Sequence, residues 1–256
     1  GDASFRKFFR KKKNNITSII VFAKKEKFKN LLIYDAINKI LIKNKILAPK
    51  LYEENYSKNY IEIEDFGNET LFKRLNKNKN NKFNYFKKVI NLLNKIQLIK
   101  TKKIKNFKDK NYKIPKYDKK ILINEANLFC DWYAKKHLNK LTKDKFSKDY
   151  IKIVKNLANN LKLKNNFFVH RDFHVSNIIP MKNKLGIIDT QDTIIGNPMY
   201  DLASLVDDVR IKVPIKIKDK IFKYYIKKCQ FKKKDISFLQ NDFVSVSIDS
   251  FAETRL

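Results

Sequence analysis

The segment FFVHRDFHVSNII, residues 167–179, constrains this chain more than any other stretch. An apolar run leads in, polar residues fill the middle, and an apolar run leads out. That pattern reads as strand, polar loop, strand. The segment LGIIDTQD follows closely and places Asp189 at the exit of the apolar stretch 185–188. Polar side chains at neighbouring strand exits converge on one site. Asp172, Asn177 and Asp189 are therefore expected to lie together.

The rest of the chain divides around residue 65. The runs 5–10 and 16–23 (ITSIIVFA), separated by KKKNN, predict a β-hairpin. Apolar positions Phe28, Leu31, Leu32, Ile33, Ala36, Ile37, Ile40 and Leu41 have helical spacing over 28–43, and Pro49 marks the exit. Residues 49–52 and the alternating 60–65 (YIEIED) predict two more strands, and Phe66 and Gly67 break the pattern. Residues 1–65 thus read as a small β-rich lobe with one helix, 66–69 as a hinge, and 66–256 as a mostly helical lobe. In the second lobe, periodicity predicts helices over 83–99, 118–138, 146–163 and 200–209, with Asp118 as the cap of the second. The tail after about 211 alternates basic and apolar residues, and helices can be placed there only loosely. No internal repeat is visible.

Composition excludes some classes. At 256 residues, with 43% hydrophobic and 13% aromatic residues, the chain can bury a substantial core and is not of disordered composition. No run of about 18 uncharged apolar residues occurs, so no membrane span is expected. No signal peptide is visible. Cys130 and Cys229 lie far apart and form no metal pattern, and a disulfide framework is not expected. These points favour the cytoplasm. The start at Gly1, without a methionine, reads as a processed or truncated segment.

A formal charge of +32 raises nucleic-acid binding. Yet only Arg6, Arg10, Arg74, Arg171, Arg210 and Arg255 are arginine, and lysine supplies the rest of the 58 basic residues. Lysine, asparagine and isoleucine are over-used together, as an AT-rich coding bias would produce. Arginine, the better reader of bases and phosphates, is scarce. The charge reads as a solvated surface that attracts anionic ligands such as nucleotides.

The chemistry that fits the constellation is phosphoryl transfer. That reaction needs a carboxylate to orient the attacking hydroxyl and oxygen ligands to hold magnesium against phosphates. Asp172, Asn177 and Asp189 supply those parts in the kinase order of base, amide ligand and carboxylate ligand. Asp65-Phe66-Gly67 spells the kinase metal motif but precedes the catalytic segment, whereas a metal-binding copy follows it. Its place after a strand suits the hinge, where backbone groups near Glu64 and Asp65 could meet adenine. His170 and His174 invite a histidine-metal hydrolase reading. With only three histidines in the chain, loop-stabilising hydrogen bonds are the better reading of both.

The motifs GDASFRKFFR, IPKYDKKILINEANLFCDWYAKKHL, FVHRDFHVSNI and GIIDTQDTIIGNPMYDLASLVDD, in that order over roughly 1–210, resemble the aminoglycoside phosphotransferase superfamily. They are most similar to its anomeric N-acetylmuramate/N-acetylglucosamine kinases of cell-wall recycling. The resemblance implies a two-lobed, protein-kinase-like α+β fold with ATP in the cleft and the sugar over the larger lobe. It implies Asp172 as base and Asn177 and Asp189 as Mg²⁺ ligands. Ser4 and Phe5 would replace the glycine-rich phosphate loop. Asp201 would brace the catalytic loop, with a helix N-cap as its alternative role. Glu125 and Trp132 would face the sugar, although a buried helix face explains Trp132 equally well, and Asp192 would either contact the substrate or support a residue that does. Asp207 and Asp208 read as a polar helix end.

The chain departs from the kinase pattern in lacking a clear strand lysine. Lys24 and Lys25 follow IIVFA and are the candidates to reach phosphate. The leading expectation is an ATP- and Mg²⁺-dependent kinase forming an anomeric sugar 1-phosphate. The rivals are an aminoglycoside or amino-alcohol kinase and a catalytically silent nucleotide- or RNA-binding protein. Twenty-six acidic against 58 basic residues disfavour a cationic drug as substrate. Retention of all three site residues argues against a silent binder.

Overall fold

The computed structural model describes residues 6–23, 30–77, 82–231 and 233–253. Ser4, Phe5, Lys24 and Lys25 lie outside the described residues.

The N-terminal part is a four-stranded antiparallel sheet with order β1-β2-β4-β3. Its strands are β1 (Arg6–Lys13), β2 (Ile16–Ala23), β3 (Leu51–Asn55) and β4 (Tyr60–Glu64). The turn between β1 and β2 is narrower than KKKNN suggested. Lys13 pairs with Ile16, and Asn14 and Asn15 alone make the turn, with φ of 47° and 62°. Two left-handed residues match the twist of a tight hairpin, and asparagine tolerates that conformation. The lysines before it belong to the exposed strand β1; Lys11 donates to Glu62 on β4 at 2.7 Å.

Helix α1 (Asn30–Lys43) closes one face of the sheet. Leu31 and Tyr34 pack with Val21, Ala23, Ile61 and Ile63 in the small core. Ile37, Ile40 and Leu41 point the other way and join the main core with Phe86, Phe168, Phe173 and Ile187. A helix buried on two sides should be apolar nearly all round, as NLLIYDAINKILIK is. It ties the small sheet to the rest of the molecule. Leu47, just after it, bridges to Gly186, and the Ile187 amide donates to the Leu47 carbonyl at 2.9 Å.

The remainder is mostly helical, with α2 (Leu71–Lys77), α3 (Lys82–Gln97) and the small hairpin β5 (Lys103–Lys105) and β6 (Asn111–Lys113) leading in. Helix α4 (Lys119–Phe129) starts at Asp118, whose Oδ1 accepts the Ile121 amide at 2.9 Å. Its continuation differs from the unbroken helix expected over 118–138. Residues Cys130–Ala134 form a π-helical turn before the last turn α5 (Lys135–His137). Such bulges re-aim the side chains beyond them. The helix expected over 146–163 begins earlier. Asn139 caps α6 (Lys140–Asn160) by accepting the Thr142 amide at 2.9 Å.

Short strands build the floor of the site: β7 (Phe167–Val169), β8 (Ile178–Met181), β9 (Lys184–Ile187) and β10 (Ile194–Gly196). They form two antiparallel pairs, β7 with β10 and β8 with β9. Helices α7 (Met199–Val206), α8 (Ile215–Lys228) and α9 (Lys233–Glu253) complete the lobe. No helix among the described residues is long and apolar enough to cross a membrane. The two cysteines are free.

Candidate active site

The polar loop leaves β7 at His170 and re-enters the fold at β8. Three anchors hold it. First, Asp201 on α7 accepts the amides of His170 at 2.8 Å and Arg171 at 3.0 Å. Arg171 has φ of 75°, a conformation that costs an ordinary side chain and persists where neighbours over-determine it. Second, the Arg171 guanidinium donates to Glu125 Oε1 at 2.7 Å, and Tyr117 donates its hydroxyl to Glu125 Oε2 at 2.5 Å. Third, the fully buried His170 ring sets Nε2 3.1 Å from the carbonyl oxygen of Ile188. Burial depresses its pKa to about 4, so the neutral ring donates that hydrogen bond.

The loop then folds on itself. The Asp172 carbonyl accepts the His174 amide at 3.0 Å and Asn177 Nδ2 at 3.1 Å. Asn177 Nδ2 also lies 3.3 Å from His174 Nε2. Burial, followed by the nearby Arg210, lowers His174 to about 4 as well, so its Nε2 can accept. The amide nitrogen of Asn177 is thereby turned inward, which leaves its oxygen as the group offered outward. The Ile188 amide donates to the Asn177 carbonyl at 3.0 Å, placing Asp189 beside this loop. Asp189 has φ of 60°, and its Oδ1 lies 3.1 Å from Arg6 Nη2 on β1. Thr190 donates to Asn38 Oδ1 at 2.6 Å, fixing the turn to α1. Asp172, Asn177 and Asp189 thus belong to one hydrogen-bonded loop pair, as their positions at strand exits suggested.

The donor set suits magnesium. An amide oxygen and a carboxylate are hard oxygen ligands, and magnesium usually takes one or two carboxylates and leaves other positions to phosphate and water. Among the described residues, no group of three or more His, Cys, Asp or Glu side chains is arranged to hold a metal. Both histidine rings near the site serve the loop instead.

The other candidates fall in several places. Glu64 accepts the Lys50 amide at 3.3 Å. Asp65 is clasped by Arg10 through Nε at 2.6 Å and Nη2 at 2.9 Å, and also accepts the Gly67 amide at 2.8 Å. Phe66 packs over Gly186 of β9, so the DFG-like triplet is a joint between the two parts of the molecule. Asp192 is exposed and accepts Gln191 Nε2 at 2.5 Å. Trp132, on the π-helical turn, is 68% exposed and does not belong to a buried helix face. Asp207 is the C-cap of α7 and pairs with Lys218, and Asp208 binds Arg210 at 3.1 Å, so both do mark a polar helix end.

Sequence reasoning missed two residues. Asp242 on α9 is fully buried and accepts the amides of Lys162 and Leu163 at 2.8 Å each and Asn197 Nδ2 at 2.7 Å. Asn197 Oδ1 in turn accepts the Met199 amide at the start of α7, the helix that carries Asp201. No local pattern marks a lone aspartate in an unplaced tail. Arg6 is the second. Its motif was visible, but its partner, Asp189, lies far from it in sequence.

A small antiparallel sheet joined to a helical lobe, with this loop between them, is the architecture of kinase-type phosphotransferases. The model of the phosphotransferase enzyme family matches residues 1–232, and the chain belongs to that family. The N-acetylmuramate/N-acetylglucosamine kinase of Pseudomonas putida is 24% identical over 213 residues, covering 83% of this chain and 59% of that protein. The Neisseria meningitidis protein of the same name is 33% identical over 99 residues, covering 39% of this chain and 30% of the relative. The chain therefore spans less than two thirds of the curated relatives it matches. Among solved structures, ADP-bound aminoglycoside phosphotransferase APH(2'')-Ib is similar, with a TM-score of 0.62 and 18% identity, covering 98% of this chain and 87% of that one. The likeness shows a shared protein-kinase-like fold.

Proposed function

We propose that this chain transfers the γ-phosphoryl group of ATP to a sugar hydroxyl, the anomeric hydroxyl of N-acetylmuramate or N-acetylglucosamine. The observation that carries the reading is the joined loop pair that holds Asp172, Asn177 and Asp189 together. The names of the Pseudomonas and Neisseria relatives support the choice of sugar.

In this reading residues 1–65 form the nucleotide-binding lobe and 66–256 the catalytic and substrate lobe. Asp172 accepts the proton of the sugar hydroxyl as its oxygen attacks the γ-phosphorus and the bond to ADP breaks. Asn177 and Asp189 would hold Mg²⁺, which would supply neutralisation of charge on the phosphate oxygens. Asp201 and His170 position the loop, and Ser4, Phe5 and Lys24 are assigned to nucleotide binding. Backbone groups at Glu64 and Asp65 meet adenine, since the Asp65 side chain is already engaged by Arg10. Glu125 acts on the sugar site through Arg171, while Trp132 and Asp192 stand at its rim. A cytoplasmic location follows from the use of ATP.

The test is ADP release from ATP·Mg²⁺ over a panel of N-acetylated sugars, amino alcohols and aminoglycosides. Turnover is expected with the N-acetylated sugars and should fall by orders of magnitude in Asp172→Asn. Turnover confined to aminoglycosides would reject the sugar assignment, and full activity in the variant would reject Asp172 as base.

A further inference from the structure

We propose that Arg6 is the phosphate-contacting cation of this site, seated on Asp189 until a nucleotide and its metal claim that carboxylate. The inference rests on the kinase reading above and goes beyond it. It assigns a role that the sequence had directed to Lys24 or Lys25.

Outside β1, the strands of the small sheet offer no cation. Strand β2, ITSIIVFA, and strand β4, YIEIE, carry no basic residue. The basic strand is β1, and its side chains divide by position. Arg10 and Lys11 turn to Asp65 and Glu62 of the small lobe. Arg6, paired across the hairpin with Ala23, instead reaches over to the large lobe, with Nη2 3.1 Å from Asp189 Oδ1. Its side chain is only 9% exposed, whereas that of Asp189 is 36% exposed. The guanidinium is thus enclosed, and the carboxylate keeps an open side.

A buried guanidinium needs an anion in every state of the site. Without nucleotide, Asp189 supplies one. With nucleotide, Asp189 is required by the metal, and the phosphate oxygens become the acceptors nearest to hand. The planar fork of arginine matches phosphate as well as it matches carboxylate. The exchange replaces one buried pair with another, so it avoids the penalty of a stranded charge. It also protects Asp189 from repulsion as the phosphates approach. A lysine at this position would carry the charge but not the fork.

The experiment measures binding of ATP, ADP and adenosine by calorimetry, with and without Mg²⁺. The proteins compared are the wild type, Arg6→Gln, Arg6→Lys and Lys7→Gln. Lys7 is the exposed neighbour of Arg6, and Lys7→Gln removes the same charge from the other face of β1. Arg6→Gln should weaken ATP and ADP about 10- to 100-fold, the range of a charged hydrogen bond. Adenosine should bind as before, Arg6→Lys should recover part of the loss, and Lys7→Gln should match wild type. Equal loss for adenosine would mean a damaged lobe and would overturn the assignment. Unchanged ADP affinity at saturating Mg²⁺, with only a raised magnesium requirement, would make Arg6 a brace for Asp189 and would also overturn it. A wild type that binds adenine nucleotides while Arg6→Gln binds them equally well removes Arg6 alone. A wild type that binds none removes the kinase reading and Arg6 with it.

Discussion

Asp201 holds His170 by its backbone amide at 2.8 Å, and the same carboxylate takes the next amide, that of Arg171, at 3.0 Å. Two donors converge on one buried acid, and Asp172 follows directly. Asp201→Asn would set an NH₂ group against one of those amides. A buried donor left unpaired costs about 1–3 kcal/mol. The variant should therefore lose stability of that order in urea unfolding. Its turnover should fall further than its nucleotide affinity, because the loop bearing Asp172 is released while the small lobe is untouched. Nucleotide affinity lost in step with turnover would show a wider collapse.

Three buried groups of this region, His170, His174 and Asp201, set a pH dependence. Burial lowers His170 and His174 to about 4, below the ordinary 6.5. Their neutral forms stabilise the fold above pH 6.5, and that contribution is lost as pH falls toward 4. Burial raises Asp201 from 3.8 to about 7, against the pull of its two amide hydrogen bonds. Its contribution has the opposite sign: it is full below about pH 4 and is lost as pH rises through 7. Two groups oppose one, so acidification from 6.5 to 4 should lower Tm. In Asp201→Asn the opposing contribution disappears, and the decline should steepen. Tm profiles of the two proteins over pH 4–8 that run parallel would rule out this balance.

Gly186 and Phe66 form a joint that can be tested by crowding. A Cβ added at Gly186 would stand 2.7 Å from Phe66 Cε2 and 2.8 Å from its Cδ2. The ring has to move, and overpacking of this kind costs about 1–3 kcal/mol. Gly186→Ala should lower stability by that order in chemical denaturation. Phe66→Leu should cost less when combined with Gly186→Ala than when made alone, because the clash has gone. Additive costs in the double variant would mean that the ring and the glycine do not meet.

The parts of the site that were legible in the sequence are local ones. Asp118 caps its helix because an aspartate precedes an apolar period of 3.6. Asp172 and Asn177 meet because a short polar loop between strands folds back on itself. The illegible parts depend on distant partners. Strands β5, β6 and β10 are three residues each, too short to show a period. The interruption of α4 at Cys130 leaves the apolar pattern intact and changes only the hydrogen bonding. Asp242 acts across the gap from α9 to the end of α6, and nothing near it in sequence announces that. Arg6 looked like one more cation in a basic chain until Asp189 was placed against it.

Trp132 allows the proposed sugar site to be probed optically, because it is the only tryptophan in the chain. It sits on the π-helical turn after α4, whose Glu125 binds Arg171 of the loop after β7. The aromatic side chains of the same region are largely engaged with one another: Phe129 stacks on Tyr133, and Phe146 on Tyr150. Trp132 remains 68% exposed. An indole in water emits toward the red and is readily quenched by acrylamide. If the sugar docks at this rim, an N-acetylated sugar should shift emission to the blue and reduce quenching at saturation. Asp172→Asn should show the same shift, since it binds without turning over, and this separates binding from product formation. Trp132→Phe should raise KM for the sugar while leaving that for ATP in place. Emission unchanged at saturating sugar, in a protein that turns that sugar over, would place the pocket elsewhere on the large lobe and leave Trp132 outside it.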